Sequence, residues 1–353
     1  MTLLAPGPVP TRAPRPAAAS LRRPAPVRTT WVVLGLVALV LTGAASVALG
    51  VRSVGLDEVL AGLSGSTSTI GEAAVAQRVP RTVLAMLVGA SLALSGAVMQ
   101  GLTRNPLADP GILGVTSGAS LFVVVGIAFA GLADPASYAW VAIAGAASTA
   151  LLVYAVGSMG RGGPTPLKLA LSGAAVSAAC TSLASAVLLP RVDMAERFRS
   201  WQVGGVGGAD TARTLQVLPF LLVGAALALA AARGLDGLAL GDDLARGLGA
   251  RVGRTRLLAA TGAVVLAGAA TAVAGPIGFV WLAVPHLCRL LVGTSHRWLL
   301  PASALGGAVL LTAADVLGRL VARPEELDVW IVTALLGAPV FIAIVRRQRV
   351  RAL

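Results

Sequence analysis

Long apolar runs separated by short charged clusters dominate this chain. Hydrophobic residues make up 56% of its 353 residues and charged residues only 12%. A helix needs about 20 predominantly apolar residues to cross a bilayer. Ten such stretches occur, the eighth short and interrupted by proline: 31–50, 82–101, 111–131, 138–157, 167–189, 214–232, 257–275, 276–292, 299–318 and 329–345. Because lipid offers no partners to backbone polar groups and these runs do not alternate in polarity, they predict an all-α polytopic membrane protein, a tightly packed bundle of about ten transmembrane helices.

The positions of the cations predict which side of the membrane the termini occupy. Lys and Arg collect in cytoplasmic segments, and an even number of spans puts both termini on one side. With both termini inside, the inner segments hold 19 Lys and Arg against 4 acids, and the outer segments hold 9 against 10. Both termini are therefore predicted to be cytoplasmic. We attribute the net charge of +13 to topology and expect no nucleic acid partner.

The beginning of the chain differs from the rest. Residues 1–29 are rich in Pro, Ala and Arg and cannot bury a core, so we expect a disordered, basic cytoplasmic tail. Residues 30–353 are expected to form a single transmembrane domain.

Pairs of small residues predict where helices approach each other closely. In lipid, such approaches depend on small residues four apart on one helix face. The pairs are Gly89 with Ala93, Ala302 with Gly306, and Ser303 with Gly307. They predict tight packing and carry no information about cargo.

Missing motifs narrow the possible functions. A nucleotide-hydrolysing P-loop needs a Lys after a Gly-rich turn, but the only lysine, Lys168, has no such turn before it. We therefore expect no ATP hydrolysis by this chain. Carriers driven by ion gradients usually place carboxylates within the membrane, whereas only one of the 15 acids, Asp315, lies inside a span. An ion pair with Arg319, four residues later, is favoured over a proton relay.

Two arginines break the positive-inside tendency. Arg78 and Arg81 lie in a segment predicted to be outside, at the predicted N-terminus of the second spanning helix, where the helix dipole disfavours cations. Pro80 fits a first helical turn. Anchoring to lipid headgroup phosphates and docking of acidic side chains from a soluble partner explain this placement equally well.

A series of motifs then resembles one family of membrane proteins, from about residue 30 to the C-terminus. In the first half they are Arg78 to Arg81, Gly89-Ala90-Ser91, Ser95-Gly96, Gln100 and the run Arg104-Asn105-Pro106-Leu107-Ala108-Asp109-Pro110-Gly111-Ile112-Leu113-Gly114-Val115. In the second half they are Trp201-Gln202-Val203-Gly204-Gly205, Leu240 to Ala245 with Leu248-Gly249, Gly275 to Phe279, Val284-Pro285-His286, Ala314-Asp315 with Arg319, and Leu336 to Phe341. In content and order, the chain resembles the permease subunits of the ABC importers for ferric siderophores, haem and cobalamin.

The resemblance implies partners and a mode of action. It implies a permease in the plasma membrane of a bacterium that pairs with a second permease subunit, as a homodimer or a heterodimer. Two ATPase subunits would hydrolyse ATP in the cytoplasm, and an extracytoplasmic substrate-binding protein would deliver a metal chelate. We expect a ferric siderophore as the cargo, with cobalamin or haem as alternatives, and no cofactor or metal bound by this chain. The rival outside the family is a stand-alone secondary transporter. A membrane-embedded enzyme would need a catalytic constellation that two histidines and two scattered cysteines do not supply.

The resemblance also implies roles for individual residues. Arg78, Arg81 and Arg319 would receive acidic residues of the binding protein. Asn105 and Leu107 would help to form a cytoplasmic gate, in a turn that Pro106 and Pro110 prevent from being helical. From the residues alone, that segment could equally be a plain connecting turn.

The longest inner loop, about 233–256, would contain the element that couples to the ATPase. Its expected residues are Gly241, Asp242, Asp243, Ala245, Leu248 and Gly249. Asp242 and Asp243 at a helix start and a break at Gly249 predict a short helix across the inner surface; charge alone would also allow a solvated loop.

Two tryptophans depart from the family pattern, which commonly has glycine at Trp281 and Trp330. Both are predicted near the outer ends of their helices. They would line an outer vestibule or belong to an interfacial aromatic belt.

Overall fold

The computed structural model describes residues 24–132, 135–160 and 165–351. The regular elements of these residues are thirteen α-helices and one short 3-10 helix, Pro110–Leu113. The α-helices are α1 (Ala25–Ala48), α2 (Leu56–Leu63), α3 (Ile70–Thr103), α4 (Val115–Ala130), α5 (Pro135–Ser158), α6 (Pro166–Leu188), α7 (Val192–Gln202), α8 (Thr211–Leu238), α9 (Asp242–Gly247), α10 (Val252–Ala274), α11 (Val280–Val292), α12 (His296–Val321) and α13 (Val329–Arg351).

Seven of these helices are long and apolar enough to cross a membrane: α1, α3, α5, α6, α8, α10 and α12. Shorter apolar helices follow at Val115–Ala130, Val280–Val292 and Val329–Ala343. Each predicted stretch overlaps one of these ten helices, which confirms an all-helical, polytopic membrane protein. The number of crossings and the side of the termini stay predictions. Helices α2 and α7 were not predicted; both are short and carry charged residues.

The long helix α3 forms the centre of the bundle. It packs against α12, α10, α11 and α8, and 78% of its most apolar window is buried, compared with 11% for α1 and 17% for α6. The bundle has two ends. The α2 end carries α2, the start of α3 and the last residues of α1 and α12; the α9 end carries α9, the last residues of α3 and the start of α10.

The starts of α3 and α1 differ most from those of the predicted stretches. In α3, Thr69 and Glu72 form a capping box in which the Thr69 hydroxyl accepts a hydrogen bond from the Glu72 N–H at 3.1 Å. This cap sets the first residue at Ile70, so Arg78 lies in the third turn of α3 and Arg81 in the fourth, and neither lies at its N-terminus. The dipole argument for their unusual placement was therefore wrong. Helix α1 starts at Ala25, inside the predicted disordered tail, and residues 1–23 of that tail lie outside the described residues.

The predicted small-residue contacts are confirmed where α3 crosses α12. A Cβ added at Gly89 would lie 2.7 Å from the Leu311 Cβ and 2.8 Å from the Gly307 carbonyl carbon. A Cβ added at Gly307 would lie 2.5 Å from the Ala93 Cβ. The two backbones are therefore too close for a side chain between them. Gly306 lies on another face of α12, against α11.

Residues 275–279, between α10 and α11, are not helical, and Phe279 has a positive φ of 65°. The backbone of Trp281, which follows, lies against α3: a Cβ added at Gly96 would be 2.6 Å from the Trp281 carbonyl carbon. Gly96 is seven residues from the end of α3, about 10 Å from the α9 end. Trp281 is the second residue of α11 and so lies at an end of its helix, as expected. Because α11 begins deep in the bundle, this helix end does not reach the end of the bundle that carries Arg78. Non-helical backbone at such depth requires protein around it.

Candidate functional sites at the two ends of the bundle

At the α2 end, arginine side chains cover the C-terminus of α1. The last carbonyl groups of a helix have no partners within it. Arg78 donates hydrogen bonds from Nη1 to the carbonyl oxygens of Val47, at 3.1 Å, and Ala48, at 3.0 Å. Its Nη2 donates to the carbonyl oxygen of Arg52 at 2.8 Å. The side chain of Arg78 therefore joins α3 to the end of α1.

Arg319 on α12 binds the same end of α1. Its Nη1 donates to the carbonyl oxygens of Ser46, at 3.0 Å, and Leu49, at 3.1 Å, and its Nη2 donates to the Ser46 hydroxyl at 2.7 Å. Arg323 donates to the carbonyl oxygen of Gly50. Arg78 is 8% exposed and Arg319 2%, so both guanidinium groups are buried in interactions with this chain.

A buried carboxylate links two of the arginines. Asp315, 2% exposed, lies 3.0 Å from Nη2 of Arg319, which confirms the predicted i,i+4 ion pair. Asp315 also accepts hydrogen bonds from Nη2 of Arg81 at 2.8 Å and from its Nε at 3.1 Å. Both arginine contacts stabilise the ionised carboxylate, because a buried charge needs paired and hydrogen-bonded partners.

Arg81 is the most accessible of the three predicted docking arginines. Its side chain is 15% exposed, and its Nη1 binds Glu326 at 2.7 Å, where the Glu326 side chain is 40% exposed. Asp328 lies nearby. Burial raises the pKa of the Asp328 carboxyl, while the charge of Arg81 lowers it and Glu326 raises it further. The surface over Arg81 is thus occupied by carboxylates of this chain.

At the α9 end, a constrained turn follows α3. Arg104 adopts a left-handed conformation with φ 54°. The Asn105 side-chain oxygen accepts a hydrogen bond from the Leu107 N–H at 3.0 Å, an arrangement that mimics a backbone turn. Leu107 is 38% exposed. The predicted constrained turn at Asn105 and Leu107 is confirmed, and their role in a gate stays a prediction.

Asp109 then starts the 3-10 helix. Its carboxylate accepts a hydrogen bond from the Ile112 N–H at 3.2 Å. Burial raises the pKa of this carboxyl, although the N–H groups of Gly111 and Ile112 oppose the rise.

The predicted short helix in the 233–256 loop is confirmed as α9. Gly241 before it and Gly249 after it have positive φ values of 103° and 82°, which glycine adopts without strain. Ala245 is fully buried, whereas the Asp243 side chain is 99% exposed. Leu244 and Leu248 are 64% and 74% exposed. Helix α9 therefore presents two leucines and a carboxylate away from the bundle.

Asp242 connects α9 to two other segments. It lies 2.7 Å from Nη2 of Arg256 on α10 and 3.9 Å from Nη2 of Arg246 on α9. Its other oxygen lies 3.5 Å from Nη2 of Arg104, directly after α3. The structure thus brings the predicted coupling and gate segments together. No pattern in the sequence predicted that Arg104 would lie between these segments.

The two tryptophans lie at different depths. Trp330 is the second residue of α13, is 39% exposed and follows Asp328 at the α2 end. The carbonyl oxygen of Trp281 lies 3.4 Å from Nε2 of Gln100, whose side-chain oxygen accepts a hydrogen bond from Arg289 at 3.0 Å. No group of three or more potential metal ligands occurs among the described residues.

Comparisons with known proteins indicate the family to which this chain belongs. The ferric enterobactin permease FepD of Escherichia coli is 41% identical, with 89% of this chain and 94% of FepD covered. The hemin permease HmuU of Yersinia pestis is 40% identical, with 77% and 82% covered, and the cobalamin permease BtuC of Halobacterium salinarum is 42% identical, with 78% and 74% covered. An inward-facing ABC transporter, assigned to the metal-chelate type, superposes with a TM-score of 0.79 at 29% identity, over 90% of this chain and 99% of that one. The model of the FecCD transport family matches residues 38–347. The chain therefore belongs to the FecCD transport family, a family of ABC importer permeases.

Proposed function

We propose that this chain is the permease subunit of an ATP-driven importer that moves a ferric siderophore into a bacterial cytoplasm by alternating access. It crosses the plasma membrane ten times, with both termini in the cytoplasm and the α2 end outside. It pairs with a second permease subunit and two ATPase subunits, and an extracytoplasmic binding protein delivers the cargo. ATP is used by the ATPase, and this chain binds no cofactor. Cobalamin or haem is the alternative cargo.

The observation that carries this proposal is the likeness to importer permeases over nearly the whole chain. The similarity to FepD covers 94% of that protein, so a small shared segment does not account for it. The hemin and cobalamin permeases are about as similar as FepD, and for this reason the cargo has to be measured.

Geometry supports a narrower docking site than the sequence suggested. Arg78 and Arg319 bind the end of α1 and are buried, so we assign them to holding the surface together. Arg81 is the arginine that we assign to docking. The exposed Glu326 occupies it now, and a carboxylate of the binding protein would take the place of Glu326.

At the α9 end, we assign the gate to Asn105 and Leu107 and the ATPase contact to α9. The exposed Leu244 and Leu248 offer apolar area to a partner, and Gly241 and Gly249 bound the helix with turns. We assign both tryptophans to the transport route, at different depths. Trp281 lies deep in the bundle, and only Trp330, which is partly exposed, lies near an outer vestibule.

Uptake of radiolabelled iron tests the proposed function. Proteoliposomes would hold this chain with the ATPase, the binding protein would be added outside, and radiolabelled ferric siderophores, cobalamin and haem would each be offered with and without ATP. ATP-dependent uptake of one siderophore supports the proposal. ATP-dependent uptake of cobalamin or haem alone keeps the class and changes the cargo. Uptake driven by an ion gradient without ATP refutes the proposal.

The docking assignment has its own test. Glu326→Gln removes the carboxylate that competes for Arg81, so it should raise the affinity for the binding protein about two- to fivefold, the range of an exposed ion pair. Arg81→Ala should weaken binding. Glu325→Gln is the control, since Glu325 is also exposed but has no ion pair with any described residue. Equal affinities for the Glu326→Gln and Glu325→Gln proteins, measured in detergent, would exclude Glu326 as a competitor.

A further inference from the structure

The carboxylate of Asp242 is shared unequally among its arginines. One oxygen, Oδ2, lies 2.7 Å from Arg256. The other, Oδ1, is buried and has no hydrogen-bond partner among the described residues. Nη2 of Arg104 lies 3.5 Å from it, whereas a closed charge-assisted hydrogen bond measures about 2.7–2.9 Å. The contact between Asp242 and Arg104 is therefore present but not fully closed.

Both residues at this contact are placed by unusual backbone. Arg104 has φ 54° directly after α3, and Gly241 has φ 103° directly before α9. A left-handed conformation is disfavoured for a residue with a Cβ. A Cβ added at Gly241 would lie 3.8 Å from Nη1 of Arg104. The side chain of Arg104 thus lies close to both Gly241 and Asp242, where the α9 segment begins.

Space beside the turn allows it to move. A cavity of about 290 Å³ lies between α3, α5, α6 and α10. Thr103, immediately before Arg104, and Ile112 and Leu113, after the turn, line it together with Arg256. This cavity is open to the surface, since Leu151 and Leu257 in its lining are 70% and 68% exposed. The turn therefore has unfilled space on this side.

From these observations we propose that Arg104 is a positioning residue that couples α9 to the gate turn. When the ATPase moves α9, Asp242 moves with it, and the contact with Arg104 pulls the turn that carries Asn105 and Leu107. The contact tightens in one transport state and stays open in the other. This inference rests on the proposed function, because it requires an ATPase that acts on α9.

Thiol labelling of the purified permease tests the link without ATPase or cargo. A Leu107→Cys protein would be labelled with a maleimide, since Leu107 is exposed and both native cysteines are buried. Asp242→Asn and Arg104→Gln should each raise the labelling rate about threefold, as expected for the loss of a partly exposed ion pair. Asp243→Asn is the matched control: Asp243 is 99% exposed and pairs with Arg246 alone among the described residues.

A double-mutant cycle decides whether both changes act through one contact. The Asp242→Asn and Arg104→Gln effects should be non-additive, so that the double variant labels no faster than the faster single one. Arg104→Lys, which keeps the charge, should restore most of the wild-type rate. Additive effects, or an Asp242→Asn rate equal to that of Asp243→Asn, would overturn the proposal.

The transport assay separates failure of the link from failure of the proposed function. In the assembled importer, Arg104→Gln should raise the number of ATP molecules hydrolysed per cargo molecule, with Arg104→Lys close to wild type. If the wild-type assembly transports cargo and the Arg104→Gln assembly hydrolyses the same number of ATP molecules per cargo molecule, the link alone is refuted. A wild-type assembly that transports without ATP would refute the proposed function, while the labelling result would still report on the contact.

Discussion

Replacing Gly89 by alanine should force α3 and α12 apart. The new Cβ would lie 2.7 Å from the Leu311 Cβ and 2.8 Å from the Gly307 carbonyl carbon, whereas ordinary contact begins at 3.4 Å. Both neighbours belong to the rigid part of α12, so no flexible side chain can turn away. The Gly307 carbonyl oxygen would lie closer still, so the helices must separate by at least about 0.7 Å at the crossing, the difference between 3.4 and 2.7 Å.

The cost follows from that separation. A gap of about 0.5–1 Å removes a quarter to a half of the dispersion energy of each affected contact, and overpacking of this kind costs about 1–3 kcal/mol. Because several α12 neighbours of Gly89 are affected together, we take about 3 kcal/mol. Alanine regains up to about 1 kcal/mol through its higher helix propensity. The net loss in the free energy of unfolding is about 2 kcal/mol, which for a chain of 353 residues lowers the unfolding midpoint by roughly 3 °C.

Thermal unfolding of the purified protein in detergent measures this effect. Gly253→Ala is the control, because Gly253 is an exposed residue of a helix and an added Cβ there meets nothing within 4 Å. Its midpoint should stay constant or rise slightly. If the Gly89→Ala protein unfolds at the wild-type temperature, the helices separate without cost and the close-crossing argument is wrong. If both variants lose the same stability, the loss does not come from the crossing.

Three further predictions concern single contacts. Asp315→Asn should destabilise the protein by about 3–5 kcal/mol, because it leaves two arginines without their buried counter-charge. A loss of stability below about 1 kcal/mol, measured by thermal unfolding, would refute this prediction. Arg78→Met should cost about 1–3 kcal/mol for each carbonyl of α1 left unpaired, and hydrogen exchange should show faster opening of residues 45–49 only. Asn105→Ala should remove the turn that its side chain stabilises and speed proteolysis between residues 104 and 109; an unchanged cleavage rate would contradict a constrained turn.

Sequence periodicity and local spacing predicted much of the fold. The apolar runs coincide with helices because each run must satisfy its backbone within itself. Gly89 and Ala93 marked the crossing of α3 and α12, and the four-residue spacing of Asp315 and Arg319 predicted their ion pair. In each case the information lies within one helical turn or one helix.

Contacts between distant segments were not predictable in this way. Arg78 binds carbonyl oxygens about 30 residues earlier in the chain, and backbone acceptors leave no mark in the sequence. The sequence therefore suggested an exposed docking group where the structure has a buried one. The depth of Trp281 depends on how residues 275–279 run through the bundle. Arg104 meets Asp242 only because α3 and the α8–α9 turn end at the same level.

The two ends of the bundle differ in how fully their charged groups are paired, and this difference fits the proposed alternating access. At the α2 end, Asp315 has both oxygens bound by arginines, and Arg78 and Arg319 each donate hydrogen bonds to carbonyl oxygens at the end of α1. Moving any of these helices would break several buried interactions at once. At the α9 end, Asp242 keeps one oxygen without a hydrogen bond, and its partner Arg256 lines a cavity. A surface that a binding protein must recognise gains from a fixed shape, whereas an element driven by an ATPase must move, so motion should concentrate where the pairing is incomplete.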